Sequence, residues 1–326
     1  MGEETLKTDP TAAQPGGERP PISVVILNYR RRAELERTLG SVRAQSYAPK
    51  EIIVVDNNSE DGTAEYVAAH YPDVKLLALA ENLGCGGRNR GIEAAQGALV
   101  VTLDNDVRFD SPGELDKVAA AFAQRPAAAV LIFKILDDAS GRLHLRDWAH
   151  PRNVFQFADR EFETYYIAEG ACAFRRAEFL RIGGYYEPFR IGCEGWDLAL
   201  RLLSEGQEII YRPEIRVRHS MAAETRGQRK PYYYYTRNSI WIAFKDYSGW
   251  RRWSFLAYTL AKMLFFCWRP GRFRDFVRGL REGWGERGQA PRTLVNESGW
   301  SRLAAISAHR PNLWVRFRTH RSQAEI

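Results

Sequence analysis

The chain has 326 residues, of which 45% are hydrophobic and 27% are charged. This composition is ordinary for a globular protein and excludes collagen-like and low-complexity chains. The length suits one large α/β domain with an appendage, or two modest domains. The net charge of +7 is uneven, because residues 251–326 hold 15 basic and 5 acidic side chains, whereas residues 1–250 hold 32 and 35. The basic character therefore belongs to the C-terminal region.

The termini and the cysteines give a first expectation about location. Residues 1–20 are rich in Gly, Pro, Thr and Glu and lack the apolar core of a signal peptide, so they are predicted to be a disordered tail. The four cysteines are scattered and lack a metal-type pairing, which fits a reducing cytoplasm best.

Short apolar runs alternate with helix-period segments through the first hundred residues. The predicted strands are 22–27, 51–55, 74–79 and 98–103, and the predicted helices between them include 33–45 and 63–70. Such alternation predicts an α/β fold with a mostly parallel central sheet wound by helices.

Polar side chains follow the ends of these predicted strands. They are Asn28, Asp56, Asn82 and Asp104. In parallel α/β sheets, ligands bind beyond the carboxyl ends of the strands, so these four side chains are expected along one edge that binds a ligand.

The run from Val101 to Val107 places Asp104 and Asp106 one residue apart at the end of a strand. Residues at i and i+2 of an extended segment point the same way, and two converging carboxylates repel unless a cation lies between them. Hard divalent ions commonly bridge protein carboxylates to substrate phosphates. The alternative is a polar turn in which both aspartates are solvated.

A glycine-rich segment runs from Asn82 to Gly91 and includes Gly84 and Arg88. Glycines let the backbone approach a phosphate or sugar closely, and the arginine supplies positive charge. The segment is not G-x-G-x-x-G after the first strand, so a dinucleotide-binding fold is not expected.

The second half is less regular. A strand is predicted over 165–175, an amphipathic helix over 196–204 and short strands over 209–211 and 215–217. Pro213 is expected to prevent one continuous central strand there.

The order of these segments resembles the family 2 glycosyltransferases, and among them the bacterial rhamnosyltransferase-like members. The resemblance covers roughly residues 21–247. It rests on the opening strand with Asn28-Tyr29, Asp56-Asn57-Asn58-Ser59, Asn82-Leu83-Gly84, Asp104-Asn105-Asp106, Glu169-Gly170-Ala171-Cys172, Gly183-Gly184-Tyr185, Glu194-Gly195-Trp196-Asp197-Leu198, and Arg212-Pro213-Glu214 before His219. It implies the GT-A nucleotide-diphospho-sugar transferase fold, with a catalytic domain over 21–230.

The resemblance also implies roles for individual residues. Asp56 would contact the nucleotide base and Asp104 the ribose, while Asp106 would hold Mg²⁺ or Mn²⁺ across the diphosphate with His219 as a second ligand. Two further groups of residues would complete the nucleotide-sugar and acceptor sites. They are Asn28, Asn82, Gly84 and Arg88 on the donor side, and Gly170, Ala171 and Trp196 on the acceptor side.

The catalytic base is where this sequence departs from the family pattern. Inverting members usually carry Glu-Asp at this helix start, and the Asp deprotonates the acceptor hydroxyl; in register from Gly183-Gly184, that Asp falls on Gly195. Glu194 and Asp197 lie on the same side of a first helical turn, so Glu194 is the first candidate and Asp197 the second. The Glu169 segment is the alternative location of the base.

Residues 231–326 are predicted to form an aromatic, basic helical extension. The stretch 255–268 is apolar apart from Lys262, is flanked by arginines and falls short of the ~20 residues needed to cross a bilayer. This pattern favours an interfacial helix on an anionic membrane surface, on the inner face of the cytoplasmic membrane. The alternative is a helix that packs on the catalytic domain.

The sequence therefore predicts an inverting, metal-dependent glycosyltransferase for hexosyl or deoxyhexosyl transfer. Its donor would be a nucleotide-diphosphate sugar and its acceptor a hydroxyl of a glycan or lipid-linked acceptor, as in cell-surface polysaccharide synthesis. The alternatives are a nucleotidyltransferase, although G-x-G-T-R-x-x-P does not follow 22–27, and a degenerate sugar-nucleotide-binding protein. A nucleic-acid binder is disfavoured because the basic region trails an acidic-to-neutral domain.

Overall fold

The computed structural model describes residues 19–220, 232–268 and 272–311. The predicted N-terminal tail lies outside these ranges except for its last two residues. The described strands are β1 Ile22–Asn28, β2 Lys50–Asp56, β3 Lys75–Ala78, β4 Leu99–Asp104, β5 Val107–Phe109, β6 Ala128–Asp137, β7 Phe162–Glu163, β8 Ala171–Arg175 and β9 Glu208–His219. The described α-helices are α1 Arg32–Arg43, α2 Thr63–His70, α3 Gly86–Ala94, α4 Glu114–Gln124, α5 Val154–Phe157, α6 Arg176–Arg181, α7 Glu194–Ser204, α8 Tyr232–Lys245, α9 Gly249–Cys267, α10 Arg272–Gly285 and α11 Glu297–Ser307.

The strands form one mixed sheet in the order β3-β2-β1-β4-β8-β6-β9-β5, and β7 pairs with β9. The first four strands are parallel, and six of the nine described strands run in one direction. β-Branched side chains such as Val24, Val54 and Val101 are buried along these strands, as expected for a sheet covered on both faces. The predicted α/β fold class is confirmed.

The register of the sheet aligns the polar strand ends. Asn28 pairs with Asp56 across β1 and β2, and Leu27 pairs with Asp104 across β1 and β4. The strand order reverses at β1: β2 and β3 lie on one side of it, and β4 lies on the other. Open α/β sheets bind ligands in the crevice at such a switch point. Three of the four predicted polar positions therefore lie side by side.

Strand β9 corrects one prediction. The structure has one continuous strand over Glu208–His219, not two short ones separated by Pro213. Its pairing with β6 jumps from Arg212 opposite Phe133 to Arg216 opposite Lys134. Pro213 lies in the skipped segment, where no ladder hydrogen bond from its nitrogen is needed, so the proline is accommodated by a bulge.

The strand predicted over 165–175 is also shorter than expected. β8 begins at Ala171, and residues 164–170 form an irregular segment that approaches the end of β4. Gly170 lies so close to the Asp104 carboxylate that a β-carbon there would overlap it. Glycine at position 170 permits this close approach immediately before β8 begins.

The C-terminal helices pack on the catalytic part. α8 packs against α9 and α10, while α11 packs against α7. Asn238 of α8 donates hydrogen bonds to three backbone carbonyls in the loop before α7. They are the carbonyls of Phe189 at 3.0 Å, Ile191 at 3.1 Å and Gly192 at 2.7 Å.

Across the described ranges, every helix is too short or too polar to be a candidate for crossing a bilayer.

Candidate active site

A buried network ties the ends of β1 and β2 together. Asn28 Nδ2 donates to Asp56 Oδ1 at 2.8 Å and to Ser59 Oγ at 3.1 Å, and the Ser59 amide donates to Asp56 Oδ2 at 3.0 Å. Asn105 Nδ2 donates to Asn28 Oδ1 at 2.9 Å. Asn28 and Asp56 are therefore held rigidly at the predicted ligand edge, as buried polar groups with satisfied hydrogen bonds.

The glycine-rich loop is anchored to this network through Asn57. Asn57 Nδ2 donates to Asn82 Oδ1 at 3.0 Å and to the Gly84 carbonyl at 3.1 Å. The Gly84 amide also donates to Asn82 Oδ1, at 2.8 Å. The structure thus brings Asn82 and Gly84 next to the end of β2, where the sequence predicted them.

Arg88 of α3 forms an ion pair with Asp104 at the end of β4. Arg88 is buried, but the nearby Asp104 carboxylate outweighs the cost of burial and raises the pKa of Arg88. The Asp104 side chain is 41% exposed, so it lies at the surface of the crevice. The two predicted donor-side residues therefore meet there.

Asp106 and His219 meet because β5 turns back immediately after Asp106. β5 pairs with β9 so that Val107 lies opposite His219, and the Ser220 amide donates to the Asp106 carbonyl at 2.9 Å. His219 Nε2 lies 3.6 Å from Asp106 Oδ1. Arg31 Nη1 donates to the other oxygen, Asp106 Oδ2, at 2.6 Å.

Two residues that the sequence analysis missed complete this part of the site. Asp147 Oδ2 lies 2.7 Å from His219 Nδ1 and 2.8 Å from His144 Nδ1. Burial opposes the charged form of Asp147, but the hydrogen bond from His219 and the nearby His144 ring keep the pKa of Asp147 well below its usual range. Burial disfavours the charged form of His219, but the Asp106 carboxylate 3.6 Å away and the hydrogen bond to Asp147 outweigh burial and raise its pKa to about 10.

These side chains fit a divalent cation. Asp147 orients the His219 ring through Nδ1 and leaves Nε2 facing Asp106, which is the arrangement that commonly supports a metal-binding histidine. A carboxylate oxygen and an imidazole nitrogen are suitable ligands for Mn²⁺, and the carboxylate also suits Mg²⁺. Among the described residues, His144, Asp147 and His219 offer ligand atoms within 4.8 Å of one another.

Glu194, the first candidate for the base, lies at the start of α7. Glu194 is the first residue of α7 and is buried, and its Oε2 has no hydrogen-bond partner among the described residues. Burial raises the pKa of Glu194, although backbone hydrogen bonds oppose the shift. Burial and then the charge of Glu194 raise the pKa of Glu169 to about 8. The two carboxyl groups are therefore close neighbours in the fold.

The structure argues against Asp197 as the base. Asp197 is completely buried and forms ion pairs with Arg201, at 2.6 Å, and with Lys245. Arg201 also donates to the Gly184 carbonyl at 2.6 Å. A carboxylate enclosed by two cations and inaccessible to solvent cannot reach an acceptor hydroxyl, so the position of Asp197 corrects the second candidate.

The predicted acceptor-side residues differ in their accessibility. Ala171 is buried in β8 opposite Leu103, so its side chain belongs to the core and cannot contact an acceptor. Trp196 is half-buried and packs edge-on against Tyr165, with 5.1 Å between ring centroids. Gly170 lies in the crevice beside Asp104.

Comparison with known proteins decides the family. Residues 23–183 match the family model for glycosyl transferase family 2. The N-acetylglucosaminyl-diphospho-decaprenol L-rhamnosyltransferase of Mycobacterium tuberculosis is 27% identical over 267 residues, which are 71% of this chain and 86% of that protein. The chain belongs to glycosyl transferase family 2. It is a glycosyltransferase, which confirms the predicted enzyme class.

Other relatives of this glycosyltransferase agree. The O-antigen chain rhamnosyltransferase WbaN of Salmonella anatum is 24% identical over 197 residues, 58% of this chain and 62% of that protein. The mannosyltransferase PcManGT of Pyrobaculum calidifontis, solved with GDP-Man and Mn²⁺, has a TM-score of 0.57 at 19% identity and covers 97% of this chain and 86% of its own. This structural likeness supports the predicted fold.

Proposed function

We propose that this glycosyltransferase moves a sugar, with inversion, from a nucleoside-diphosphate sugar to a hydroxyl of a glycan carried on a lipid diphosphate. The observation that carries the proposal is that the end of β4 and the turn after it place two pairs at the switch point of the sheet, Asp104 with Arg88 and Asp106 with His219. A cluster of acids and bases at this place suits a ligand that carries both hydroxyls and phosphates.

Individual residues would bind the donor as follows. Asp56 and Asn82 lie at the far side of the crevice, where they would contact the base, while the exposed Asp104 carboxylate would accept hydrogen bonds from the ribose. Arg88 holds Asp104 in place and adds positive charge beside the diphosphate. Gly84 would let the backbone approach the ligand.

Asp106 and His219 would hold Mg²⁺ or Mn²⁺. The cation would neutralise the charge that develops on the leaving diphosphate. Asp147 keeps the His219 ring oriented, and Arg31 donates to the Asp106 oxygen that faces away from His219. This proposal is supported by the donor set and by PcManGT, whose structure contains Mn²⁺.

The donor sugar and the acceptor are proposed from the relatives. The relative from M. tuberculosis is named as an L-rhamnosyltransferase that acts on N-acetylglucosaminyl-diphospho-decaprenol, and the S. anatum relative as an O-antigen chain rhamnosyltransferase. We therefore favour L-rhamnose, a deoxyhexose, as the donor sugar and a polyprenyl-diphosphate glycan as the acceptor, in cell-surface polysaccharide synthesis.

An acceptor on a lipid would require the enzyme to work at a membrane surface. Helices α9 and α10 expose aromatic side chains, among them Trp250 (73% exposed), Phe265 (78%) and Trp268 (74%). Exposed basic side chains accompany them on the same two helices, namely Lys262, Arg274, Arg278 and Arg281. Amphipathic helices with this composition bind anionic lipid surfaces, and the four free cysteines favour the cytoplasmic face.

Two of the arginines that flank the apolar stretch are already engaged within the chain. Arg251 pairs with Glu297 at 2.6 Å, and Arg252 donates to the Tyr247 carbonyl at 2.9 Å. The membrane contact would therefore depend on the aromatic face and on the remaining basic residues. Arg269 lies outside the described residues.

The test is nucleotide release from a panel of nucleoside-diphosphate sugars with Mn²⁺ or Mg²⁺, with and without a polyprenyl-diphosphate N-acetylglucosamine acceptor. We expect one donor to be used and the acceptor to stimulate release. Asp56→Ala should weaken the binding of the matching nucleoside diphosphate, whereas Asp159→Ala, at an exposed surface pair, should not. A protein that binds and turns over no member of the panel would overturn the proposal.

A further inference from the structure

The space beside position 195 is already filled by another carboxylate. A β-carbon at Gly195 would overlap Glu169 Oε1, and would lie 3.1 Å from Glu169 Cδ and 3.0 Å from the Ile167 carbonyl oxygen. No side chain larger than hydrogen fits there while Glu169 keeps its position. The Glu169 carboxyl group thus occupies the place that a side chain at the second position of α7 would take.

The backbone at Glu169 is fixed against the donor-binding strand. Thr102 Oγ1 donates to the Glu169 carbonyl at 2.7 Å, and the Asp104 amide donates to the Gly170 carbonyl at 3.2 Å. Both contacts hold the Glu169 segment at the end of β4. The Glu169 residue is partly exposed to solvent, while its carboxyl group is enclosed by the surrounding protein beside the crevice that contains Asp104 and Arg88.

The two other acidic candidates are less suitable. Asp197 is enclosed by its ion pairs with Arg201 and Lys245. Glu194 is more deeply buried than Glu169, and one of its carboxylate oxygens is inaccessible to solvent. Of the three acidic residues, Glu169 combines partial exposure with a position beside the end of β4.

We propose that Glu169 is the general base of this glycosyltransferase and compensates for glycine at position 195. This inference rests on the proposed function. The Glu169 carboxylate takes the proton of the acceptor hydroxyl as the oxygen forms a bond to the anomeric carbon from the face opposite the diphosphate. The bond between that carbon and the diphosphate oxygen breaks, and its electron pair leaves with the nucleoside diphosphate. Glu169 then returns the proton to solvent.

Glutamine and alanine at position 169 test the assignment. Removing a general base typically costs ~10²–10⁴ in rate, so Glu169→Gln and Glu169→Ala should lose this much nucleotide release from the donor that the wild type uses. The dissociation constant for the nucleoside diphosphate should stay within about threefold, because proton transfer does not contribute to donor binding. Glu93→Gln, an exposed acid on α3, is the matched control and should retain activity.

A second experiment distinguishes a role of Glu169 as the general base from a purely structural role of its carboxylate. Gly195→Asp alone should lose activity and thermal stability, because its side chain would overlap Glu169. In the Glu169→Ala background the overlap with the carboxylate is removed, and the remaining close contact, with the Ile167 carbonyl oxygen at 3.0 Å, is relieved by a shift of a few tenths of an ångström. Gly195→Asp should therefore recover at least tenfold activity over Glu169→Ala. Gly195→Asn in the same background has nearly the same shape but cannot take a proton, and it should recover nothing.

The outcomes distinguish this inference from the proposed function. If the wild type uses a donor but Glu169→Gln keeps near-normal turnover, or if Gly195→Asp and Gly195→Asn rescue equally, Glu169 is not the base. If Glu194→Gln alone abolishes turnover, Glu194 holds that role. If the wild type releases no nucleotide from any donor of the panel, the proposed function falls and the base assignment falls with it.

Discussion

Asp106 is the residue on which metal dependence should rest. Its carboxylate faces His219 at 3.6 Å and has Arg31 on its other side. We expect Asp106→Ala to abolish turnover and EDTA to do the same reversibly, since a cation held there would stabilise the leaving diphosphate. Turnover measured before and after Mn²⁺ is restored checks this. Full activity in excess EDTA would contradict the assignment.

The pH dependence of turnover should depend on the ionisation of the two neighbouring carboxyl groups, Glu169 and Glu194. The base acts as a carboxylate, so turnover should rise with pH across the Glu169 pKa of about 8. Glu194→Gln removes a neighbouring negative charge, lowers that pKa and should move this limb of the profile to lower pH. The titratable and charged groups that interact electrostatically with Glu169 are Glu194, Arg88, Asp104, Tyr166, Tyr185, Tyr235, Cys85, Cys172 and Cys193.

A profile measured with saturating donor and acceptor isolates the chemical step. Glu93→Gln is again the control, because Glu93 lies on the exposed surface and should leave the profile unchanged. An acidic limb that stays at the same pH in Glu194→Gln would show that the two carboxyl groups titrate independently.

Asp197 should matter for stability. Removing one partner of a buried ion pair leaves a charge uncompensated and typically costs about 3–5 kcal/mol, so Asp197→Ala should lower the free energy of unfolding by this order. Asp159→Ala removes an exposed ion-pair partner of Lys134 and should cost less than about 1 kcal/mol. Urea unfolding of both variants measures the difference. Equal costs would contradict a structural role for Asp197.

At the scale of elements, the loop before α7 depends on α8. Asn238→Ala removes three hydrogen bonds to carbonyls of this loop and should destabilise the fold by about 1–3 kcal/mol. Because the loop leads directly into Glu194, turnover should fall more than donor affinity. Asn153→Ala, which removes the N-cap of α5, should cost about 1 kcal/mol without affecting turnover.

The sequence was most informative where apolar runs form parallel strands. The ends of β1, β2 and β4 could be predicted because each strand shows a buried pattern followed by a polar residue. The bulge around Pro213 could not, because it depends on how β9 pairs with β6. His144 and Asp147 carried no pattern at all: they lie at a short 3₁₀ turn and reach His219 only through the tertiary fold.

The functional residues also divide into those that the sequence predicts and those that only the tertiary fold brings together. Asp104 and Asp106 were found from their spacing, Arg88 from the glycine-rich segment, and His219 from the family resemblance. The overlap between Glu169 and position 195 joins residues far apart in the sequence, so only the folded chain brings it to light.

At the scale of the whole molecule, the exposed aromatic face of α9 and α10 predicts membrane binding. We expect binding to anionic liposomes that weakens with salt, because exposed charges are screened within ~8 Å at physiological ionic strength. Phe265→Ser with Phe266→Ser should weaken it further at every salt concentration. Phe155→Ser is the control and should not, because Phe155 on α5 has an exposure between those of Phe265 and Phe266. Co-sedimentation at low and high salt measures the effect.

If the protein does not bind anionic liposomes at low salt, the membrane proposal is contradicted.

The packing of the C-terminal helices on α7 has a consequence for how the enzyme is made. Lys245, Asn296 and Arg302 contact α7 or the turn that follows it. During synthesis the strands of the sheet leave the ribosome before these supports, because Lys245, Asn296 and Arg302 all follow β9 in the chain. The nascent chain can therefore assemble the donor edge early, but α7 acquires its final surroundings only after α11 has been synthesised. Catalytic competence should thus begin only once α11 has packed against α7.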